Sequence, residues 1–426
     1  MNILDRAEIS GFWGDREISI NFHKDVNFFI GVNGSGKTTV INIIAAALSA
    51  DFATLDKLPF NSLRMHLSES GGRKRPTIEI EKSEIDNSPF NNIVYRIKEK
   101  ASDKFTTYSL GEFEEELLIR RGVIPRTYAV QSHLKNRSRG ILAKLNEIAN
   151  TSWLSIHRAS TTYLGKKEES FESSVDQKLE ELSTSLAKYF SVLSAKVSDE
   201  IAEFQRNMIL SLLTEQTQST VFTSVKNLNL DEEKKSLAEI LTKLNIKTAT
   251  TKLDKQYDEI SSARTKLNEG NGLHLKDLMS LVGAYRSHKV VQDWNKLLEK
   301  QTEILQPKIT FVSVLNELFQ RKIIAINQKN EIEATTTSGK KMSVRGFSSG
   351  EKQLIIILGE ALLQQSTPWI YITDEPELSL HVKWQEKLVE SLRKLNPKAQ
   401  IVCATHSPDV VSSFSDRVFN MEHMIK

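Results

Sequence analysis

The stretch Gly31-Val32-Asn33-Gly34-Ser35-Gly36-Lys37-Thr38 decides the fold, because it fits the pattern G-x-x-x-x-G-K-[ST] in fitting surroundings. Before it runs Val26-Asn27-Phe28-Phe29-Ile30, a short apolar segment that reads as a buried strand. After it, Lys37 to about Leu48 reads as a helix. Glycines let backbone N–H groups curl around phosphate oxygens, and a helix N-terminus adds positive potential. Lys37 is placed to reach terminal phosphates and the Thr38 hydroxyl to bind Mg2+, with Asn33, Gly34, Ser35, Gly36 and Thr39 completing the cradle. A chance glycine turn lacks this pair of flanks.

A second strand, ending Ile370-Tyr371-Ile372-Thr373-Asp374-Glu375, delivers two carboxylates. Asp374 at the strand tip suits Mg2+ beside Thr38, and Glu375 suits polarising an attacking water. An Asp-Glu pair after a strand is by itself more often a solvated turn; behind a phosphate loop the balance reverses. A third strand, Gln400 to Thr405, ends in His406, which can contact a γ-phosphate and hold the water. Phe347-Ser348-Ser349-Gly350-Glu351-Lys352-Gln353 opens another helix. Serine before a helix with an acid in its first turn is an ordinary N-cap, and a cap is also an anion cradle.

Ser348-Ser349-Gly350-Glu351-Lys352-Gln353 resembles the signature loop of ABC ATPases, especially the SMC, Rad50 and RecF heads. In that family the signature binds the γ-phosphate of ATP held by another protomer, so the resemblance implies two heads clamping two ATP molecules with Mg2+. Thr373 to His381, together with Ala404-Thr405-His406-Ser407-Pro408, looks like the AAA15 and OLD-like branch, which puts Leu378 to His381 at the D-loop position. Many members carry a glutamine where the first lobe enters the helical arm. Here that place reads His157-Arg158, with Gln131 as a further candidate, and the lobe-coupling residue stays open among them.

The class expected is therefore α/β: an ABC-type P-loop ATPase head of two lobes with a helical, partly coiled-coil-like insertion. The expected divisions are 1–160, 161–330 and 331–426. From about 170 to 330 the sequence is nearly all helical in texture. Val175, Leu179, Leu182, Leu186, Leu193, Val197, Ile201 and Phe204 form one apolar stripe, and helix is expected again from Leu278 to Ile326. Thr248 to Thr251, Gly270 to Gly272 and Pro307 are the expected breaks. The heptads are not sustained, so a helical bundle is a better expectation than a long coiled coil.

A formal charge of +3 is too small to imply nucleic acid, and the single cysteine, Cys403, excludes internal disulfides and a cysteine-based zinc site. No apolar run reaches the roughly 20 residues of a membrane helix. A cytoplasmic, membrane-free location is the expectation. OLD-type proteins resemble this chain but continue into a Toprim nuclease, whereas this sequence stops shortly after His406. The resemblance narrows to the PtuA ATPases of Septu and retron-associated phage-defence systems, which assemble with PtuB, a separate HNH nuclease. The implied partners are further copies of the chain, joined through the ATP sandwich and the insertion, and such a nuclease. DNA or retron RNA/DNA is a further partner if the basic clusters Arg73-Lys74-Arg75 and Lys135, Arg137 and Arg139 reach it. The alternative is a RecF- or Rad50-like DNA-repair clamp acting on DNA directly.

Overall fold

The computed structural model describes residues 1–69, 72, 74–84, 91–109, 140–154, 174–213, 218–243, 250–412 and 414–425. Gly71, Arg73, Gln131, Lys135, Arg137, Arg139, His157 and Arg158 lie outside them. Cα packing divides the chain into two units, one of Met1–Ala187 with Thr310–Lys426 and one of Lys188–Ile309.

The larger unit is built on two main sheets. Strands β1 (Asn2–Phe12), β2 (Arg16–Asn21), β4 (Ser62–Glu69), β5 (Thr77–Ser83), β6 (Asn92–Lys98) and β7 (Thr106–Ser109) form an antiparallel sheet in the order β2-β1-β4-β5-β6-β7. Their alternation of apolar and polar residues puts Ile78 and Ile80, Ile93, Tyr95 and Ile97 on one buried face. Helix α1 (Lys37–Leu48) supplies much of the apolar surface this core buries, through Ile41, Ile43, Ile44 and Leu48. The short helix α2 (Phe52–Lys57) places Phe52 against Tyr95, whose hydroxyl donates to the Ala47 carbonyl.

The second sheet has the order β14-β3-β13-β12-β8, with β3 (Val26–Ile30), β8 (Thr151–Leu154), β12 (Ile370–Asp374), β13 (Gln400–Ala404) and β14 (Val418–Asn420) all parallel. Continuous apolar runs such as Val26–Ile30 and Gln400–Ala404 suit a parallel sheet covered on both faces. The two ends of the chain are thus interleaved: β3 from residues 1–160 lies between β13 and β14 from residues 331–426. The head is one structure contributed by both ends.

Two buried amides tie this sheet to its surroundings. Gln400, fully buried, accepts from the Leu4 amide at 2.8 Å and donates to the carbonyls of Leu4 and His23, each at 2.8 Å. Asn27 accepts from the His23 amide and donates to the His23 and Ile401 carbonyls. Each pairs a buried side-chain amide with backbone donors and acceptors of neighbouring segments.

Two long helices enter and leave the insertion, Ser174–Leu213 of 40 residues and Leu275–Leu318 of 44. Between them run Gln218–Lys226, Leu230–Lys243 and Thr250–Asn268. Val225, Ile260, Ala263 and Leu281 form the centre of a separate core in the smaller unit. The sequence expectation fails at two places here. The helix expected to reach Ile326 stops at Leu318, and Lys322–Ile326 is strand β9, paired with β10 (Ile332–Thr336), which pairs in turn with β11 (Lys341–Ser343). The apolar run Ile323-Ile324-Ala325-Ile326 suits either state by itself, and the sheet partner decides. Pro307 breaks nothing: it lies inside the 44-residue helix, where the lost hydrogen bond is outweighed by burial of Leu297, Phe311, Val314, Leu315 and Leu318 on either side. Strand β4 and helix α2 were not expected from sequence.

The Gln400 clasp gives a direct stability test. Gln400→Leu removes the side-chain partners of the Leu4 amide and carbonyl and one of the two donors to the His23 carbonyl, and is expected to lower the unfolding free energy by roughly 2–4 kcal/mol. Urea titration monitored by far-UV circular dichroism reads this out; a midpoint equal to that of the unsubstituted chain would remove the clasp from the account.

Candidate functional site

Because β3, β13 and β12 are parallel neighbours, their C-terminal ends open on the same side of the sheet, where ligands of such folds bind. The loop after β3 carries Asn33 and Gly34 exposed and Lys37 buried. Gly36 has φ 94°, and a Cβ there would stand 2.8 Å from the Phe12 ring, so no other residue fits without rearrangement. Lys37 is only 4% exposed and its Nζ donates to the carbonyls of Gly31 (2.9 Å) and Val32 (3.1 Å). Burial lowers its pKa from the usual lysine range, partly opposed by the carboxylates of Glu375, Asp374 and Glu377. The Ser35 hydroxyl is buried with no hydrogen-bond partner. A charged ammonium with carbonyls as its hydrogen-bond partners, next to an unpaired hydroxyl, fits a loop that takes up phosphate oxygens.

Thr38 closes the link across the sheet. Its hydroxyl donates to Asp374 Oδ1 at 3.1 Å. Thr39 follows on the first turn of α1, half-buried. Among the described residues no group of three or more His, Cys, Asp or Glu is placed to hold a metal by itself. A hydroxyl and one carboxylate are the hard oxygen donors with which Mg2+ is held when substrate phosphates complete its shell, so the residues fit that ion.

Glu375 follows Asp374 with φ 48°, and its amide donates to the Ala404 carbonyl at 2.9 Å, extending the β12–β13 ladder by one residue. His406 Nε2 lies 3.6 Å from Glu375 Oε1, both side chains about one-third exposed. The arrangement joins a carboxylate that can accept a proton to an imidazole that can steady it.

Sequence reasoning overlooked the residue that anchors the backbone at His406. Glu377 is buried; its Oε1 accepts from the Thr405 hydroxyl at 2.6 Å and from the His406 amide at 2.9 Å. Gln385 continues the brace, donating to the Leu380 carbonyl at 2.9 Å and accepting from the Ser407 hydroxyl at 2.7 Å. Gln353 Nε2 reaches the Pro376 carbonyl at 3.2 Å. In the sequence Glu377 is one more acid in an acidic loop, and Gln385 is a polar residue in an amphipathic helix. Only the fold brings them to the loop after β13.

Ser348, Ser349, Gly350 and Glu351 begin the helix Ser349–Leu363. Ser348 and Glu351 form a capping box, the Ser348 amide donating to Glu351 Oε2 at 2.8 Å. Ser348 and Ser349 are exposed. Gly350 sits under the loop Leu378 to His381: a Cβ there would lie 2.4 Å from the Ser379 carbonyl oxygen. Leu378 is 42% exposed, and His381 caps the helix Val382–Leu395 by accepting from the Lys383 amide. The structure thus gathers 31–39, Asp374, Glu375 and His406 into one place. Among the described residues no hydrogen bond or ion pair joins 348–351 to that place.

A phosphate-loop strand and helix, an acidic strand tip and a capped serine-glycine helix on this sheet order define an ABC-type P-loop head. The chain belongs to the family described as "AAA domain, putative AbiEii toxin, Type IV TA system", whose model matches residues 26–412. It is 24% identical over 403 residues to "Retron Vc95 probable ATPase" of Vibrio cholerae serotype O1 biovar El Tor, covering 92% of this chain and 67% of that one. It is 28% identical over 123 residues to "Septu protein PtuA" of Bacillus thuringiensis, covering 26% of this chain and 28% of that protein. It is 25% identical over 314 residues to "DNA repair protein RAD50" of Saccharomyces cerevisiae, covering 71% of this chain but 21% of that protein. No helix among the described residues is long and apolar enough to cross a membrane.

The Glu377 brace predicts a graded response. Glu377→Ala strands the Thr405 hydroxyl and the His406 amide and is expected to cost roughly 1–3 kcal/mol. Glu377→Gln keeps an acceptor for both and should lose less than about half of that. Chemical denaturation of the two variants side by side checks the order; equal losses would contradict it.

Proposed function

We propose that this chain is the ATP-binding and ATP-hydrolysing subunit of an anti-phage defence complex, and that its heads pair around two ATP molecules to control a separate HNH-type nuclease. The observation that carries the catalytic part is the Thr38–Asp374 contact of 3.1 Å with Glu375 and His406 beside it. The similarity to the retron and Septu proteins supports the defence setting.

In this reading Lys37 exchanges its carbonyl partners for β- and γ-phosphate oxygens, and amides of 33–38 hold the rest of the chain of phosphates. Thr38 and Asp374 would hold Mg2+, which would supply charge neutralisation to the phosphates. Glu375 Oε1 takes the proton from the attacking water as its oxygen bonds to the γ-phosphorus, while His406 fixes the geometry. ADP leaves with the broken β–γ bridging oxygen. Ser348 and Ser349 are exposed, and among the described residues no hydrogen bond or ion pair joins them to the chain's own phosphate loop, which supports their meeting the nucleotide of a second copy. The similarity to RAD50 favours a second reading, a clamp that grips DNA itself; it requires ATP-stimulated duplex binding by the chain alone.

Lys37→Ala is expected to weaken ATP binding at least tenfold, which is about 1.4 kcal/mol. Glu375→Gln is expected to keep ATP while phosphate release falls by roughly 10²–10⁴. Isothermal titration and a phosphate-release assay separate the two. Normal turnover by Glu375→Gln would remove that residue from the catalytic role. For the defence role, coexpression with neighbouring HNH nuclease genes should give a co-purifying complex and phage resistance, both lost with Lys37→Ala; neither appearing with any such gene would reject it.

A further inference from the structure

The helix that begins at Ser349 owes its capping box to Glu351, and Glu351 is itself held from outside. Lys322 Nζ, at the start of β9, lies 2.8 Å from Glu351 Oε1 and 2.7 Å from Oε2. Both side chains are largely shielded, at 18% and 14% exposure, so this pair is less screened by solvent than the surface pairs of the chain. The Glu351 carboxyl titrates below its usual range: burial pushes it upward, and the hydrogen bonds from Lys322 and Ser348 more than reverse that. The same ammonium stands 4.6 Å over the centre of the Phe347 ring. Phe347 is buried against Phe319, and Phe319 against Trp384, whose indole donates to the Leu318 carbonyl at 2.9 Å. One lysine therefore grips the residue before the Ser348-Ser349-Gly350 loop and the residue after it.

We propose that Lys322 is the positioning residue of the 348–350 loop, setting the loop's hydroxyls and amide in the geometry that meets the γ-phosphate on a second copy. The proposed effect on the partner's nucleotide rests on the sandwich reading above; the grip on the loop does not. Three features make the clamp specific. A bidentate contact fixes the carboxylate plane, which aims Glu351 Oε2 at the Ser348 amide. The ring contact fixes Phe347, leaving the three residues between with little freedom. Gly350, close under the Ser379 carbonyl, lets the loop shift in few directions. Among the described residues no hydrogen bond, ion pair or ring contact joins Lys322 to 31–39, so its loss should leave the chain's own ATP site intact.

The test uses the full chain in the Glu375→Gln background with Lys322→Met, which keeps the stem and removes the charge, and Lys322→Arg, which restores it. Hydrogen exchange of the nucleotide-free chains is expected to accelerate at least tenfold at amides 348–352 in Lys322→Met, with α1 amides unchanged and ATP affinity within twofold. ATP-driven association should weaken at least tenfold, and Lys322→Arg should recover both readouts. Unchanged exchange at 348–352 would overturn the proposal, as would acceleration spread over the whole larger unit, which assigns Lys322 to general stability. If the Glu375→Gln parent does not associate with ATP, the sandwich reading fails by itself, and the exchange at 348–352 still decides the clamp.

Discussion

The contact of the Thr38 hydroxyl with the Asp374 carboxylate spans 336 residues of sequence, and the rest of the head exists to make it. It requires β3 and β12 to present their C-terminal ends together, which the intervening β13 enforces through parallel registers on both sides. That in turn requires the two ends of the chain to interleave in one sheet, with everything between them leaving and returning. The long helices Ser174–Leu213 and Leu275–Leu318 meet this requirement in sequence, because the first begins and the second ends within the larger unit.

Chemistry then follows from strand order. Three strand tips deliver three kinds of group: a phosphate cradle, a pair of carboxylates and an imidazole. Buried polar side chains keep the tips aligned. Gln400 and Asn27 secure the entry ends of β13 and β3, and Glu377 secures the exit of β13. These buried groups are satisfied by backbone and hydroxyl partners, apart from Glu377 Oε2, whose carboxylate also adds to the negative field around Lys37.

Much of the head was legible in the sequence because its signals are local. Glycines 31, 34 and 36 sit at positive φ, where a phosphate loop needs them, and α1 starts at Lys37, where the motif places it. The apolar runs before Asp374 and His406 are strands within a residue of their expected limits. What was not legible depends on partners distant in sequence. Lys322–Ile326 reads as helix until β10 lies beside it, and Pro307 reads as a break until the packing around it is known. Glu377 and Lys322 carry no local mark at all: each becomes a site residue only through a contact with a loop that the sequence places elsewhere.

The central claim is that the site is completed by a second copy of the chain, and sedimentation of Glu375→Gln with and without ATP and Mg2+ tests it most directly. The account predicts a 48.3 kDa species that moves to twice that mass, or an even multiple of it, only when both are present. A chain that binds ATP and stays at its single mass at micromolar concentration would contradict it.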